Sequence, residues 1–194
     1  SLLDKKVLEV GSGRGGGSSY ICKYLRPKSN VGIDISKEAV NLCNSKYQNN
    51  NLSFSFGDSE QIPFEKNSFD VVINIESSHC YGNIPLFLSE VKRILISGGF
   101  FLWADFRKPK EMSFLFDCFI KSGLIKIRDK DITFNIINAL QRLSHIREKK
   151  IKKHIPKILQ PVFMSYAGVK GTGVYNSFLD NKLIYKSATF KNPG

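Results

Sequence analysis

The chain lacks the residues and patterns that mark several protein classes. It has only four cysteines in 194 residues, and none of them stands in C-x-x-C spacing: Cys22, Cys43, Cys80 and Cys118. This scatter predicts reduced thiols in a cytoplasmic protein and argues against a disulfide framework or a zinc site. No apolar run reaches the roughly 20 residues of a membrane span. With 42% hydrophobic residues, the composition is that of a single globular domain.

Acidic residues are also scarce: the chain has 17 aspartates and glutamates but 29 lysines and arginines, which gives a net charge of +12. Much of the excess lies between Arg142 and Lys157. Two interpretations stay open for this basic run. It is either the solvated face of a helix or a surface that attracts anionic lipid or an acidic partner. We regard nucleic acid as an unlikely partner.

The most informative segment is Val7–Gly17, a short apolar run followed by glycines and then by a helical pattern. Glycines allow a sharp turn and let a ligand approach the backbone. The second apolar run, Val31–Asp34, ends in an acid that could bind a ribose hydroxyl. The spacing Gly11-x-Gly13-x-x-Gly16 also fits a dinucleotide loop, but that match alone is weak. Together these features predict a nucleoside-cofactor site.

Glu9 favours one cofactor over another. A dinucleotide would bring a pyrophosphate to the loop, and a carboxylate beside it would repel that anion. S-adenosylmethionine has no phosphate and carries a sulfonium and an ammonium group, which suit a carboxylate directly or through water. The alternative is that Glu9 is a solvated acid at a strand end.

The strings VLEVGSGRGG, GIDIS, FGDSEQIPFEKNSFDVV, NIESSHCY, FLSEVKRILISGGFFLWADF and AGVKGTGVY extend the pattern along the chain. Through them the sequence resembles the class I S-adenosylmethionine-dependent methyltransferases. It is most similar to the branch of phthiotriol and phenolphthiotriol dimycocerosate methyltransferases and of macrolide and sugar O-methyltransferases. The resemblance implies S-adenosylmethionine as the cofactor and covers most of the chain. Relatives usually carry additional helices upstream, so we expect this chain to lack an N-terminal segment.

Apolar runs that alternate with helical segments predict an α/β fold with a Rossmann-like, three-layer architecture. We expect a mostly parallel, seven-stranded sheet whose last strand is antiparallel. The predicted strands are 6–10, 31–34, 52–56, 69–75, 100–106, 124–129 and 183–191, and the predicted helices include 16–25, 84–96 and 112–122. A single methyltransferase domain would consist of a cofactor-binding core (1–131), a helical cap inserted at 132–167 and a last-strand region (168–194). We expect the cap to lie over the acceptor side of the site.

In open α/β sheets, ligands bind beyond the carboxyl ends of the strands. The cofactor-binding candidates all lie at or just after such ends: Glu9, Gly11, Ser12, Gly13, Asp34, Ile35, Asp58, Ser59, Asn74 and Ile75. The resemblance assigns Asp58 to the adenine amino group, although an aspartate after Gly57 can also simply form a turn. It also implies that His79 is a general base, which Asp105 orients.

Some motifs are absent, and this narrows the reaction. No Asp-Pro-Pro-Tyr or Asn-Pro-Pro-Tyr follows the fourth strand, so methylation of the adenine amino group is disfavoured. No Pro-Cys pair occurs, so methylation at cytosine C5 is disfavoured. Asp105 is followed by Phe106 rather than by an Asp-Asn pair, and we expect no metal. The predicted activity is therefore methylation of a hydroxyl on a small molecule, lipid or polyketide. The alternatives are N- or C-methylation of an amine or acyl chain, a non-catalytic module that binds RNA or membrane, and an NAD-linked reductase, which Glu9 disfavours.

Overall fold

A computed structural model describes residues 1–194 as a seven-stranded sheet with helices between the strands. The strands are β1 (Lys6–Val10), β2 (Ser29–Asp34), β3 (Leu52–Phe56), β4 (Phe69–Ile75), β5 (Leu95–Arg107), β6 (Ile125–Asp131) and β7 (Ile184–Lys191). The helices are α1 (Gly16–Leu25), α2 (Lys37–Lys46), α3 (Ile84–Ile94), α4 (Pro109–Lys121), α5 (Thr133–His154), α6 (Gln160–Tyr166) and α7 (Gly173–Leu179). No helix is both long enough and apolar enough to cross a bilayer.

The strand order is β3-β2-β1-β4-β5-β7-β6. The pairs β1–β2, β1–β4, β2–β3 and β4–β5 are parallel. The last strands of the sheet, beyond β5, are antiparallel. Just after β7, Gly98 N donates to Asn192 O and Asn192 N donates to Gly99 O, both at 2.9 Å, which joins the end of β7 to the first part of β5. The predicted fold class, a Rossmann-like α/β sheet with an antiparallel last strand, is confirmed.

The interior strands are apolar because helices cover both of their faces. In β1, Val7 and Leu8 are fully buried, and Val72 in β4 is equally inaccessible. Since β1, β2, β3, β4 and β5 run parallel, their carboxyl ends meet at one edge of the sheet. That edge brings the loops after β1, β2, β3 and β4 together.

The chain divides into two compact units. The first comprises residues 1–105, 114–129 and 187–194. Its core includes a cluster of aromatic rings in which Phe119 stands 4.4 Å from Phe190 and 5.4 Å from Trp103 between ring centroids. Trp103, Phe119 and Phe190 are almost fully buried. These rings therefore stabilise the core by apolar burial and edge contacts and do not line an open acceptor cavity.

The second unit comprises residues 106–113 and 130–186. Its long helix α5 is bound to the segment that follows it, because Arg147 Nη1 donates to Ala167 O (2.5 Å) and Lys170 N donates to Ser144 Oγ (2.7 Å). Tyr175 in α7 donates to Gln141 Oε1 at 3.1 Å. The helices α6 and α7 thus fold back along α5.

The structure corrects two boundaries that the sequence pattern suggested and adds a helix. Helix α3 ends at Ile94 and β5 begins at Leu95, so Gly98 and Gly99 lie inside the strand instead of ending the helix. Strand β5 accommodates them through an irregular register opposite Phe69 and Val71. Helix α7 was not predicted, because its glycine-rich start resembles a loop.

Asn192 joins the end of the chain to the start of β5. It is 3% exposed, and its Nδ2 donates to Leu95 O at 2.9 Å and lies 3.3 Å from Lys92 O and Ile96 O. We expect Asn192→Ala to lower the free energy of unfolding by about 1–3 kcal/mol, because buried carbonyl groups lose their donor. Urea denaturation measures this loss.

The matched control is Ser97→Ala near the start of β5. Ser97 is exposed and makes one long bond, 3.4 Å, to Pro193 O, so its loss should change stability by less than about 0.5 kcal/mol. Equal destabilisation by the two variants would contradict the role given to Asn192.

Candidate functional site

The loop after β1 is bound to the end of β2. The amides of Gly11 and Ser12 both donate to Ile33 O at 2.9 Å, and Gly13 N donates to Asp34 Oδ2 at 2.8 Å. Gly11 has φ +75°, and a Cβ there would overlap the side chains of Ser77 and Tyr81. Only glycine fits this close approach, which explains why the loop lies directly against the segment that follows β4.

Glu9 is buried and faces the start of α1. Its carboxylate accepts a hydrogen bond from Ser18 Oγ, and the side chain is 5% exposed. Burial raises the pKa of the Glu9 carboxyl above its usual range, and the hydrogen bonds from Ser18 lower it by less. Glu9 is therefore not a solvated acid at a strand end, and Ser18 is a partner that sequence reasoning missed.

The glycine that packs against Glu9 is Gly17 and not Gly16, the last glycine of the sequence motif. A Cβ on Gly17 would overlap the Glu9 carboxylate, whereas the space around Gly13 and Gly16 is open. The residue at 17 must be small so that α1 can approach the acid. The open space at Gly13 lies along the loop, where a ligand can approach the backbone.

Asp34 connects the loop to the following helix. While Oδ2 accepts from Gly13, Oδ1 accepts from Ser36 N at 2.9 Å. Its neighbour Ile35 is 66% exposed, which leaves an apolar surface next to a half-buried carboxylate. Acid and apolar surface thus stand side by side at the end of β2, as the predicted ribose and adenine contacts require.

Asp58 and Ser59 follow β3, and both are half-buried. Asp58 Oδ1 accepts a hydrogen bond from Glu60 N at 2.8 Å, which is the turn-forming role that the sequence left open. A contact from Asp58 to adenine stays a prediction, and so does any contact from Ser59.

Asn74 lies inside the fold. It is fully buried, and its Nδ2 lies 3.0 Å from Val10 O, 2.8 Å from Ser77 Oγ and 2.9 Å from Tyr81 Oη. Its Oδ1 has no hydrogen-bond partner, and the same is true of the buried Ser12 Oγ. Asn74 therefore joins the end of β1 to the segment after β4, while a cofactor contact stays a prediction. The next residue, Ile75, is 48% exposed.

Tyr81 was not identified from the sequence, yet it completes this network. Its hydroxyl lies 3.0 Å from Ser77 Oγ. Burial raises the pKa of Tyr81 to about 12, although hydrogen bonds with Ser77 and Asn74 lower it in part. The phenol therefore stays protonated and acts as a structural hydrogen-bonding group rather than as a base.

His79 and Asp105 are brought together from separate strand ends. His79 Nδ1 lies 2.9 Å from Asp105 Oδ1, and His79 N donates to Asp105 Oδ2 at 3.0 Å. Asp105 has no solvent exposure, while 31% of the His79 side chain is accessible. The structure thus brings these two residues together, and the contact with the carboxylate sets the orientation of the imidazole.

Ser78 and Trp103 support the Asp105 carboxylate through a chain of hydrogen bonds. Ser78 Oγ donates to Asp105 Oδ2 at 2.8 Å and accepts from Trp103 Nε1 at 2.9 Å. Trp103 and Ser78 are both buried. Neither residue stood out in the sequence, where only the polar run Glu76–Tyr81 after an apolar strand marked the region.

Glu76, in the same turn after β4, has an unusual backbone conformation. Its φ of 52° is uncommon for a residue with a side chain, and its amide donates to Ala104 O at 2.9 Å. Such strain persists where the surrounding structure determines it, and it is concentrated at functional sites. The turn after β4 is held between β1 and β5, where it presents His79.

Matches with known proteins identify the family. Residues 8–103 match the family model described as "Methyltransferase domain". The chain is 35% identical over 190 residues to a phthiotriol/phenolphthiotriol dimycocerosates methyltransferase of Mycobacterium leprae, with 98% of this chain and 70% of that protein covered. It is 30% identical over 189 residues to a fatty-acid O-methyltransferase of Mycolicibacterium smegmatis, with 97% of this chain and 68% of that protein covered. The chain spans about two thirds of the length of the curated relatives it matches.

Solved structures agree at the level of the fold. The phosphoethanolamine N-methyltransferase 2 of Haemonchus contortus, in complex with S-adenosyl-L-methionine, superposes with a TM-score of 0.84 at 16% identity. The match covers 100% of this chain and 50% of that one. Taken together with the two curated relatives, it shows that the chain belongs to the class I methyltransferases that use S-adenosylmethionine as their cofactor.

Proposed function

We propose that the protein transfers a methyl group from S-adenosylmethionine to a hydroxyl group of a lipid-like or polyketide acceptor. The observation that carries this proposal is the contact between His79 and Asp105, with 2.9 Å between nitrogen and oxygen. An alcohol must lose its proton as it attacks, and a histidine oriented by a carboxylate is suited to take that proton.

The residues at the strand ends fit the cofactor. The Asp34 carboxylate lies beside the exposed Ile35 and accepts a hydrogen bond from Gly13, whose surroundings are open, while the Glu9 carboxylate lies against Gly17 and Ser18. Asp34 would hold the ribose hydroxyls, Ile35 would cover one adenine face, and Glu9 would attract the cationic groups. When bound, the cofactor supplies an activated methyl group with a good leaving group. The protein's own task is then to align the acceptor and remove its proton.

The contact with Asp105 fixes the proton on the imidazole. An ionised carboxylate can only accept hydrogen bonds, so in the neutral ring Nδ1 carries the hydrogen and Nε2 is the basic nitrogen. As Nε2 takes the acceptor's proton, the buried carboxylate stabilises the imidazolium that forms. Ser78 and the backbone amide of His79 hold that carboxylate in place.

The names of the curated relatives support a hydroxyl on an apolar molecule, since one is described as a fatty-acid O-methyltransferase. The N-methyltransferase among the structural neighbours supports a second candidate, methyl transfer to an amine. The two candidates differ in their need for a base, because a neutral amine attacks without prior deprotonation.

For His79→Ala we expect a loss of turnover of roughly a hundredfold or more on a hydroxyl acceptor. Affinity for S-adenosylhomocysteine should stay nearly unchanged, because the proposal assigns His79 to the acceptor and not to the cofactor. Single-turnover transfer of a labelled methyl group, together with calorimetry of cofactor binding, separates the two effects. Asp105→Asn should lower turnover as well, because an amide does not stabilise the imidazolium.

The matched control is Cys80→Ala, since Cys80 is exposed and adjacent to His79 in the same turn. This variant should retain turnover. If His79→Ala kept nearly full activity on a hydroxyl acceptor, the proposed base would be excluded. A small loss on an amine acceptor combined with no activity on alcohols would favour N-methylation.

Asp34→Ala should weaken cofactor binding more than Asp58→Ala does. Asp34 can accept bonds from two ribose hydroxyls and also anchors the loop through Gly13, whereas Asp58 would make one contact. Each charge-assisted hydrogen bond contributes about 1.5–3 kcal/mol, so the Asp34 variant should lose more than about tenfold in affinity. Calorimetric titration with S-adenosylhomocysteine measures both variants, and equal affinity in wild type and Asp34→Ala would refute the assignment.

Cofactor affinity should rise with pH through the folded-state pKa of Glu9. Because that pKa is raised, the stability that Glu9 contributes to the free protein is present below its unfolded pKa and is lost as pH rises through the folded value. A cationic ligand favours the deprotonated Glu9 carboxylate. Cofactor binding therefore strengthens as pH rises through this folded-state pKa, and below it binding releases the proton of Glu9. Calorimetry in buffers of different ionisation enthalpy detects this proton, and Glu9→Gln should abolish both the slope and the release. A wild-type affinity that does not vary with pH would contradict the role of Glu9.

A further inference from the structure

One segment of the second unit is rich in lysine and contains no acidic residue. Between Glu148 and Asp180 the chain has no aspartate or glutamate. The same stretch contains six lysines: Lys149, Lys150, Lys152, Lys153, Lys157 and Lys170. Of these, Lys152 pairs with Glu148 at 2.6 Å, and Lys149, Lys153 and Lys157 are exposed. The stretch therefore presents an uncompensated cationic surface.

Exposed apolar side chains follow the lysines directly. Ile158, Val162 and Tyr166 are 86%, 65% and 88% exposed. Val162 and Tyr166 are four residues apart on one face of α6, and Ile158 lies in the 3-10 turn Lys157–Leu159 directly before that helix. Leu159 and Phe163 are nearly half exposed beside them. We call these five residues the apolar stripe. Large side chains grouped in this way on a surface mark an interaction site.

Hydrogen bonds hold the stripe against the basic end of α5. Gln160 Nε2 donates to Ile155 O at 2.9 Å, and Arg147 Nη1 donates to Ala167 O at 2.5 Å. Because both ends of α6 are tied to α5, the two helices run antiparallel. The lysines in the last turns of α5 and Lys157 in the connection thus lie next to the apolar stripe.

We propose that this surface docks onto an anionic lipid bilayer, with the apolar stripe entering the headgroup region and the lysines contacting the lipid phosphates. Exposed aliphatic side chains gain free energy on leaving water, and lysines near the surface of an anionic membrane add electrostatic attraction. Neither signal alone anchors a protein stably, whereas the two together do. Single-stranded RNA fits less well, because its bases stack on aromatic side chains and arginines, and the stripe is mainly aliphatic.

The first test is cosedimentation of the 194-residue chain with vesicles. We expect binding to vesicles of phosphatidylcholine with phosphatidylglycerol, much weaker binding to pure phosphatidylcholine, and weakening by salt. Replacing Ile158 and Val162 by serine should reduce partitioning by at least about tenfold, since each side chain loses apolar burial. Each of Lys149→Glu, Lys153→Glu and Lys157→Glu should reduce it by about fivefold or more.

The matched control replaces Ile120 and Ile127 by serine, because both side chains are exposed in the first unit, at 75% and 52%. This variant should bind vesicles like wild type. Circular dichroism verifies that all variants stay folded. Equal vesicle binding by the stripe variant and wild type would overturn the proposal. So would binding of a single-stranded RNA that needs the lysines but not the stripe, in the absence of vesicle binding.

A second readout reports insertion directly. The chain has one tryptophan, Trp103, which is 2% exposed and gives a constant background. Tyr166→Trp should therefore show a blue shift in emission on anionic vesicles, and brominated lipid should quench it. An emission spectrum that does not change on vesicles would place the stripe outside the membrane and refute the proposal. Neither experiment involves methyl transfer, so either result is independent of the proposed function.

Discussion

The arrangement of the site depends on one constraint, which is that the Asp105 carboxylate at the end of β5 is cut off from solvent. A buried acid is tolerated only where hydrogen-bond donors satisfy it. Ser78, the amide of His79 and the His79 ring provide those donors. This requirement draws the turn after β4 onto β5, sets the direction of the imidazole and explains why Trp103 also donates into the same network.

The same turn is fixed on its other side by polar groups, in addition to the packing of the Tyr81 ring on Phe87. Asn74 and Tyr81 bind each other and Ser77, and Ser77 in turn donates to Val10 O at 3.1 Å. The glycine loop after β1 is thereby coupled to the segment that carries His79. Cofactor loop and proposed base are parts of one hydrogen-bonded structure, so their relative positions are set before any ligand binds.

Charge is distributed unevenly over this basic protein. The strand ends of the site carry the carboxylates of Glu9, Asp34, Asp58 and Asp105, although the chain as a whole has a net charge of +12. Acids gathered at one edge of the sheet suit a cationic cofactor and oppose a pyrophosphate. Much of the excess of basic over acidic residues lies instead between Arg142 and Lys157, in α5 and the connection that follows it, where we infer contact with anionic lipid.

The sequence by itself determined the sheet, the glycine loop and the class of cofactor. These are encoded locally, because the apolar runs, the turn at Gly11 and the acids Glu9 and Asp34 are each recognisable within a few residues of a strand end. The tertiary structure decided what depends on residues far apart in the chain. It set Asp105 against His79, buried Glu9 on Ser18, placed Asn74 in an internal network and turned Trp103 and Phe119 into core residues. Spacing along the chain does not specify these contacts, since they form only when helices and strands pack and each buried polar group must find a partner.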